Sequence, residues 1–317
     1  MPINETENKM VNKCDWMDKL KCPGCGSTIF RSRPGKNVWG SSGITCSKCR
    51  AFYPVKGGIL EMLPEGDYGK YSYWDKNYAD ASGIISSYEM RFKYTDKFLL
   101  NYYIMPALAL KLGWNENDMI ELGCGWGTNA LAMSKFGITS ETWILDISMP
   151  ALKGAVKVHA HFGKKVFPVR ADIHRLPFKD NAFGISISGG LYEHFVGEEQ
   201  AALVRENSRI SRKVLCQVPS DTPIYWIYRW MITLMNKGKW PFGFENPIKR
   251  EKLASLYSAC GVKITGYDYG NLATAAIVGA ADVNPGFGKF DMKPFFYRFF
   301  EHEFVLSGEK PSKKAHK

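Results

Sequence analysis

The chain has no apolar run long enough to cross a bilayer, no export signal in its first twenty residues, no internal repeat and too few acids to balance its bases. The longest membrane-like stretch, Pro223 to Met235, is interrupted by Arg229 and falls short of the roughly 20 residues that span about 30 Å of hydrocarbon. The first twenty residues alternate polar and charged groups around no apolar centre, so a secretory leader is not expected and a cytoplasmic location is. Paired cysteines in such a chain point to metal rather than to disulfides. With 42 Lys and Arg against 31 Asp and Glu the net charge is +11, an excess that suits anionic partners without choosing among nucleic acid, phosphorylated metabolites and acidic membranes. The basic run Lys310 to Lys317 reads as a solvated tail.

What is present fits one large α/β domain with a small appendage, since 317 residues at 45% apolar and 23% charged is ordinary globular usage. The spacing divides the chain into a flexible N-terminus (1–20), a small cysteine-bearing ribbon (21–65), a linker with an N-terminal helix (66–112), a main α/β domain (113–285) with an aromatic insertion (220–245), and a C-terminal aromatic segment with basic tail (286–317). A helical period runs from Tyr88 to Leu112, with a break expected at Pro106. After Gly113, strands are expected at Asp118–Leu122, Thr142–Asp146, Val166–Ala171, Phe183–Ser188 and Lys213–Val218. Helices alternate with them at Thr128–Phe136, after an N-cap at Ser148, at Glu198–Ile210 and at Pro247–Cys260. Val262–Tyr267 and Ala273–Ala280 read as a closing strand pair. Short strand–helix steps predict a doubly wound, mostly parallel, seven-stranded Rossmann-like sheet.

The chemistry centres on Glu121-Leu122-Gly123-Cys124-Gly125-Trp126-Gly127-Thr128, between the first strand and the first helix. An open α/β sheet binds ligands there. The spacing G-x-G-x-G is not the G-x-G-x-x-G that seats a pyrophosphate on a helix N-terminus. With Glu121 alongside, a ligand with a cationic amino-acid end suits it better than NAD. Asp146 ends the second strand, 19 residues after Gly127, where a carboxylate accepts bonds from ribose hydroxyls. Asp172 closes the third strand, placed to take an adenine amino group. Cys124 reads as a small packing residue rather than a nucleophile.

These residues resemble those of the class I S-adenosylmethionine-dependent methyltransferases, within their broad small-molecule and lipid branch (type 11). The resemblance covers about residues 118–220 and rests on the E-x-G-C-G-x-G loop, Trp143-Ile144-Leu145-Asp146, Ala171-Asp172 with Leu176-Pro177-Phe178, and Gly190-Leu191-Tyr192-Glu193-His194-Phe195. It implies that Glu121, Gly123, Cys124, Gly125 and Gly127 meet the methionine end of the cofactor, Asp146 and Ile147 the ribose, and Asp172 and Ile173 the adenine. Tyr192, Glu193 and His194 follow the fourth strand, near where the methyl group would point, with His194 a candidate general base. Where the family has a Pro-Gly-Gly turn this chain reads Ser208-Arg209-Ile210-Ser211-Arg212-Lys213, a departure that bears on the branch and not on the cofactor.

Cys22-x₂-Cys25 and Cys46-x₂-Cys49, with twenty residues between them, supply four thiolates for a closed structural Zn²⁺ site. Residues 20–65, through Phe52-Tyr53-Pro54-Val55 and Gly57-Gly58-Ile59-Leu60, are similar to the small zinc-ribbon family of tRNA-methyltransferase activators. That likeness implies a docking or substrate-positioning module.

The expected activity is methyl transfer to a small-molecule or lipid-linked acceptor. An rRNA or tRNA methyltransferase using the ribbon to dock RNA is the alternative enzyme, and a non-catalytic S-adenosylmethionine-binding partner protein the alternative class. The aromatic insertion (Tyr225, Trp226, Tyr228, Trp230, Trp240, Phe242) reads as an acceptor lid, an interface between subunits, or a peripheral membrane contact with Arg229 and Lys237 at the headgroups.

Overall fold

The computed structural model describes residues 15–63, 68–69, 72–78, 83–86, 89, 104–271 and 301–311. Most of the predicted Tyr88–Leu112 helix and all of Ala273–Ala280 lie outside them.

The strands are β1 (Phe30–Pro34), β2 (Ser41–Cys46), β3 (Phe52–Lys56), β4 (Ile59–Glu61), β5 (Glu116–Leu122), β6 (Thr139–Asp146), β7 (Phe167–Arg170), β8 (Phe183–Gly189), β9 (Ser211–Pro219), β10 (Lys263–Asn271) and β11 (Glu301–Glu309). The helices used below are α1 (Ser72–Asn77), α2 (Ile104–Lys111), α3 (Thr128–Lys135), α4 (Met149–His161), α5 (Gly197–Ile210), α6 (Pro223–Met235) and α7 (Arg250–Ala259).

One sheet runs β1-β2-β3-β4-β7-β6-β5-β8-β9-β11-β10, so it has eleven strands rather than the seven expected. Seven of them, β7-β6-β5-β8-β9-β11-β10, form the Rossmann-like part, parallel from β7 to β9 with β11 antiparallel to β9 and β10. The other four come from the ribbon. β4 pairs in parallel with β7, Leu60 opposite Val169 and Glu61 opposite Arg170, and Met62 N donates to Arg170 O at 2.8 Å. The physical reason is the edge: β7 alone would leave a row of unpaired amides and carbonyls facing solvent, and the ribbon strand satisfies them.

The ribbon also packs on one face of the sheet. Trp39 is buried with its ring centroid 5.2 Å from Trp143, 5.1 Å from Phe167 and 4.9 Å from Trp16, all edge-to-face. Asp15–Leu20, expected to belong to a loose N-terminus, is anchored here: Trp16 Nε1 donates to Trp39 O at 3.0 Å and Lys21 N to Pro177 O at 2.9 Å. Lys19 pairs with Asp118 across the same seam.

β10 pairs antiparallel with β11. Glu301–Glu309, read as part of an aromatic segment and tail, sits between β9 and β10 and is buried along most of its length. Pro106 does not break α2 but occupies its first turn, where a missing N–H costs nothing because those amides have no intrahelical acceptor. Ser148 caps α4 as expected, its side chain accepting from Ala151 N at 3.3 Å. Among the described residues no helix is long and apolar enough to cross a membrane.

Candidate functional site

The site lies at the carboxyl ends of β5, β6, β7 and β8. β5 is buried from Met119 to Leu122, which carries Glu121 into the interior just before the chain turns. The turn is tight. Gly123 and Gly125 have φ of 61° and 51°, a left-handed conformation that side-chain-bearing residues avoid. A Cβ on Gly123 would lie 2.7 Å from Leu191 Cδ1, and one on Gly125 2.7 Å from Tyr78 Oη. The loop is therefore a cradle that any side chain would fill. Gly127 caps α3, and its carbonyl accepts from His159 Nε2 at 2.9 Å.

Glu121 is buried and fixed from both sides: Asn129 Nδ2 donates to Oε1 at 3.0 Å and Ala130 N to Oε2 at 2.9 Å. Burial still dominates and raises its carboxyl from 4.5 to about 8. Asp146 ends β6 with Oδ2 accepting from Gly125 N and Oδ1 from Ser148 N, each at 2.9 Å. Burial lifts it to about 6 against the opposing pull of those amides. The two amide bonds occupy half of its roughly four acceptor positions, leaving capacity for a diol. Asp172 accepts from His174 N at 2.9 Å and lies 3.0 Å from His174 Nδ1.

Two adjoining recesses share this floor. A narrower one of about 530 Å³ brings together Gly123, Asp146, Ile147, Asp172, Ile173 and Leu191, with Trp74, Tyr78 and His194 also on its walls. A wider chamber of about 1700 Å³, open at its mouth, continues from Glu121, Cys124 and Gly125 towards Glu193, His194, Gln217, Tyr225, Tyr228, Trp240, Glu245 and Glu303. Thus of the predicted residues Glu121, Gly123, Cys124, Gly125, Asp146, Ile147, Asp172, Ile173, Glu193 and His194 converge.

Tyr192 does not. It is buried in the core with its hydroxyl accepting from Asn207 Nδ2 at 2.7 Å and lying 3.2 Å from Tyr257 Oη, which removes it from the reacting groups and makes it an anchor for the turn. Cys124 is buried and burial pushes its thiol well above the ordinary range, consistent with a packing side chain. His194 Nδ1 bonds Phe244 O at 2.5 Å. A carbonyl can only accept, so the proton sits on Nδ1 and Nε2 is left as the basic nitrogen. Glu193 is buried, burial pushes its carboxyl well above the ordinary range, and Oε2 has no hydrogen-bond partner. Arg229, a headgroup contact only under the membrane alternative, turns inward: Nη1 donates to Glu245 O at 2.9 Å and the guanidinium sits 5.0 Å from the Trp240 ring.

The sequence reading missed Trp74 and Tyr78, which come from the tyrosine-rich linker and close over the loop. Tyr78 lies 5.3 Å from Trp126, and Trp74 4.8 Å from His194. It also missed Asn129, Gln217, Glu245 and Glu303. Glu245 fell inside the aromatic insertion, while Asn129 in α3, Gln217 in β9 and Glu303 in β11 carried no signal of their own.

In the ribbon, Cys22, Cys25, Cys46 and Cys49 bring their sulfurs within 4.8 Å of one another. The Cys22–Cys49 and Cys25–Cys46 pairs are 3.6 Å apart, close to the roughly 3.8 Å between sulfurs at the corners of a tetrahedron with 2.3 Å metal–sulfur bonds. The donor set thus fits a tetrahedral metal ion. Among the described residues it is the only such group.

Residues 119–213 match the family model described as "Methyltransferase domain". No curated protein matches the chain. Among solved structures, the chain is similar to magnesium protoporphyrin IX methyltransferase from Synechocystis PCC 6803 with bound S-adenosylhomocysteine, at 13% identity over 77% of this chain and 95% of that one, TM-score 0.47. It is likewise similar to a chain from the complex between the Haloferax volcanii Trm112 methyltransferase activator and a methyltransferase candidate, at 14% identity over 75% of this chain and 97% of that one, TM-score 0.49. The functional reading rests on the domain match and the crevice, not on these likenesses. The chain carries a methyltransferase domain of Rossmann-like fold. It is an S-adenosylmethionine-dependent methyltransferase.

Proposed function

We propose that the enzyme methylates a small-molecule or lipid-linked acceptor held in the wider chamber, with the nucleoside end of the cofactor in the narrower recess and its amino-acid end on the chamber floor beside Glu121 and Gly125. The supporting observation is the junction of the two spaces: Gly123, Gly190 and His194 line both, so a donor on one side and an acceptor on the other would meet beside the His194 ring. The residues fit the cofactor as the cradle requires. Glu121 would receive the ammonium of its amino-acid end, Gly123 and Gly125 would let backbone approach it, and Asp146 with Ile147 would hold the ribose, while Gly127 serves the packing of α3 against His159. Asp172 and Ile173 would border the adenine, and Tyr78 and Trp74 would exclude water. When bound, the cofactor supplies an electrophilic methyl group. The chain's own tasks are to orient the acceptor and to take a proton from it. His194 would perform the second task through Nε2, and Glu193 borders the same space.

The chamber argues against an RNA acceptor. Among the described residues lining it there is no lysine or arginine, while Glu121, Glu193, Glu245 and Glu303 are present; a phosphodiester backbone would meet carboxyl groups and no lysine or arginine to pair its charge. The ribbon, residues 21–65, is proposed as a structural zinc module that seals the β7 edge and braces the β6–β7 face behind the crevice. Incubating the purified enzyme with methyl-labelled cofactor and cell extract, then separating lipid, small-molecule and RNA fractions, tests the acceptor reading. Label in lipid or small molecules is expected; label confined to RNA overturns it.

A further inference from the structure

Of the fourteen large apolar side chains that stand exposed among the described residues, eight fall between Trp226 and Phe244. In α6 only Tyr225 is buried. Trp230, Leu234 and Met235 are 63%, 58% and 78% exposed, and Trp226 and Ile227 about half exposed. Trp226, Trp230 and Leu234 form one i, i+4 row, and Ile227, Met231 and Met235 the row beside it. They make a single broad face turned away from the protein. The opposite side of the helix carries Tyr225 and Tyr228 into the acceptor chamber.

The charges around this face are one-sided. From Thr222 to Phe244 there is no aspartate or glutamate. Lys237 and Lys239 follow the helix and are exposed. The flanking acids are engaged locally: Glu245 accepts from Tyr225 Oη at 2.9 Å and Trp240 Nε1 at 3.1 Å, and Asp221 from Trp226 Nε1 at 3.3 Å. A 13-residue helix is about 20 Å long, too short to span a bilayer and long enough to lie on one. Docking to a second copy would set two lysine-bearing, acid-free segments against each other with no carboxylate to pair them.

We propose that α6 and the turn after it form a peripheral membrane-docking face for an anionic lipid surface, apolar side chains in the interfacial region and Lys237 and Lys239 at the headgroups. As a statement about the surface this stands apart from methyl transfer. As a statement about the acceptor it rests on the reading above: with the same helix forming a wall of the chamber, an acceptor anchored in the bilayer would present its head group at the chamber mouth.

The test is co-sedimentation of the full chain with vesicles of phosphatidylcholine alone or mixed with phosphatidylglycerol. The wild type is compared with Trp230→Glu/Leu234→Glu and with Lys237→Glu/Lys239→Glu, and S-adenosylhomocysteine binding is measured in parallel to show that each variant is folded. Wild-type binding that needs the anionic lipid, and that falls at least about tenfold in each variant, is the expected result. Equal binding by the variants, or no wild-type binding while the face mediates a dimer by light scattering that Trp230→Glu dissociates, overturns the proposal. Loss only of S-adenosylhomocysteine binding would strike the cofactor reading and leave the surface intact.

Discussion

Cofactor binding should release a proton, and Glu121 should be its source. In the free protein burial holds this carboxyl at about 8, so at pH 7 it is roughly nine-tenths protonated. An ammonium placed beside it favours the carboxylate, so its pKa falls on binding and the proton leaves. Affinity for S-adenosylhomocysteine should then tighten by about tenfold per pH unit across the range below about 8 and level off above it. The same shift has a stability consequence in the free protein. The folded pKa lies above the unfolded value of 4.5, so the native state binds more protons and stability declines as pH rises between 4.5 and about 8. Glu121→Gln removes both effects: the melting temperature loses that pH dependence, and S-adenosylhomocysteine affinity above pH 8 drops roughly 10- to 100-fold, the worth of one charge-assisted bond. The assay is titration calorimetry at pH 7 in buffers of differing ionisation enthalpy, for wild type and Glu121→Gln. Heats independent of buffer in the wild type, or equally buffer-dependent in the variant, would refute the assignment of Glu121 to the ammonium.

Three further outcomes follow from the geometry. His194→Ala should lower turnover by about 100-fold or more while S-adenosylhomocysteine affinity holds; unchanged turnover removes His194 as the base, and lost affinity makes it a pocket wall. Trp39→Ala, which deletes the ring wedged between Trp16, Trp143 and Phe167, should cost about 3–5 kcal/mol by chemical denaturation, and a cost below about 1 kcal/mol would mean the ribbon does not brace the sheet. Stripping metal with a chelator, or Cys46→Ser, should lower the melting temperature and expose the β7 edge to amide exchange; an unaltered melt and exchange pattern would show that the four sulfurs carry no structural ion.

The strands β5 to β9 and the helices between them were legible because their signals are local. Apolar runs end at Glu121, Asp146 and Asp172, and a strand–turn–helix step with glycines at the turn can be read in a dozen residues. The convergence of the glycine loop with Asp146 and Asp172 on one recess was legible for the same reason. What was not legible depends on contacts between distant segments. Nothing in Ile59–Glu61 announces that it pairs with Phe167–Arg170, more than a hundred residues away, since a three-residue strand has no usable period. Glu301–Glu309 looked like part of a tail because Glu301, His302 and Glu303 mask the buried run after them. Trp74 and Tyr78 lie in the linker, and that they stand over the glycine loop is a contact between segments some fifty residues apart with no local signal. Tyr192 was misassigned because a motif gives a position along the chain and not the direction of a side chain: its neighbours Glu193 and His194 face the chamber while it faces Asn207.

The central claim is that the crevice between β5, β6 and β7 receives S-adenosylmethionine through Glu121 and Asp146. Equilibrium dialysis of the labelled cofactor against wild type and Asp146→Ala, with unlabelled S-adenosylhomocysteine or NAD as competitor, tests it directly. One saturable site per chain, displaced by S-adenosylhomocysteine but not by NAD and weakened at least about tenfold in the variant, is the predicted result. Displacement by NAD, or full retention of binding in Asp146→Ala, would contradict it.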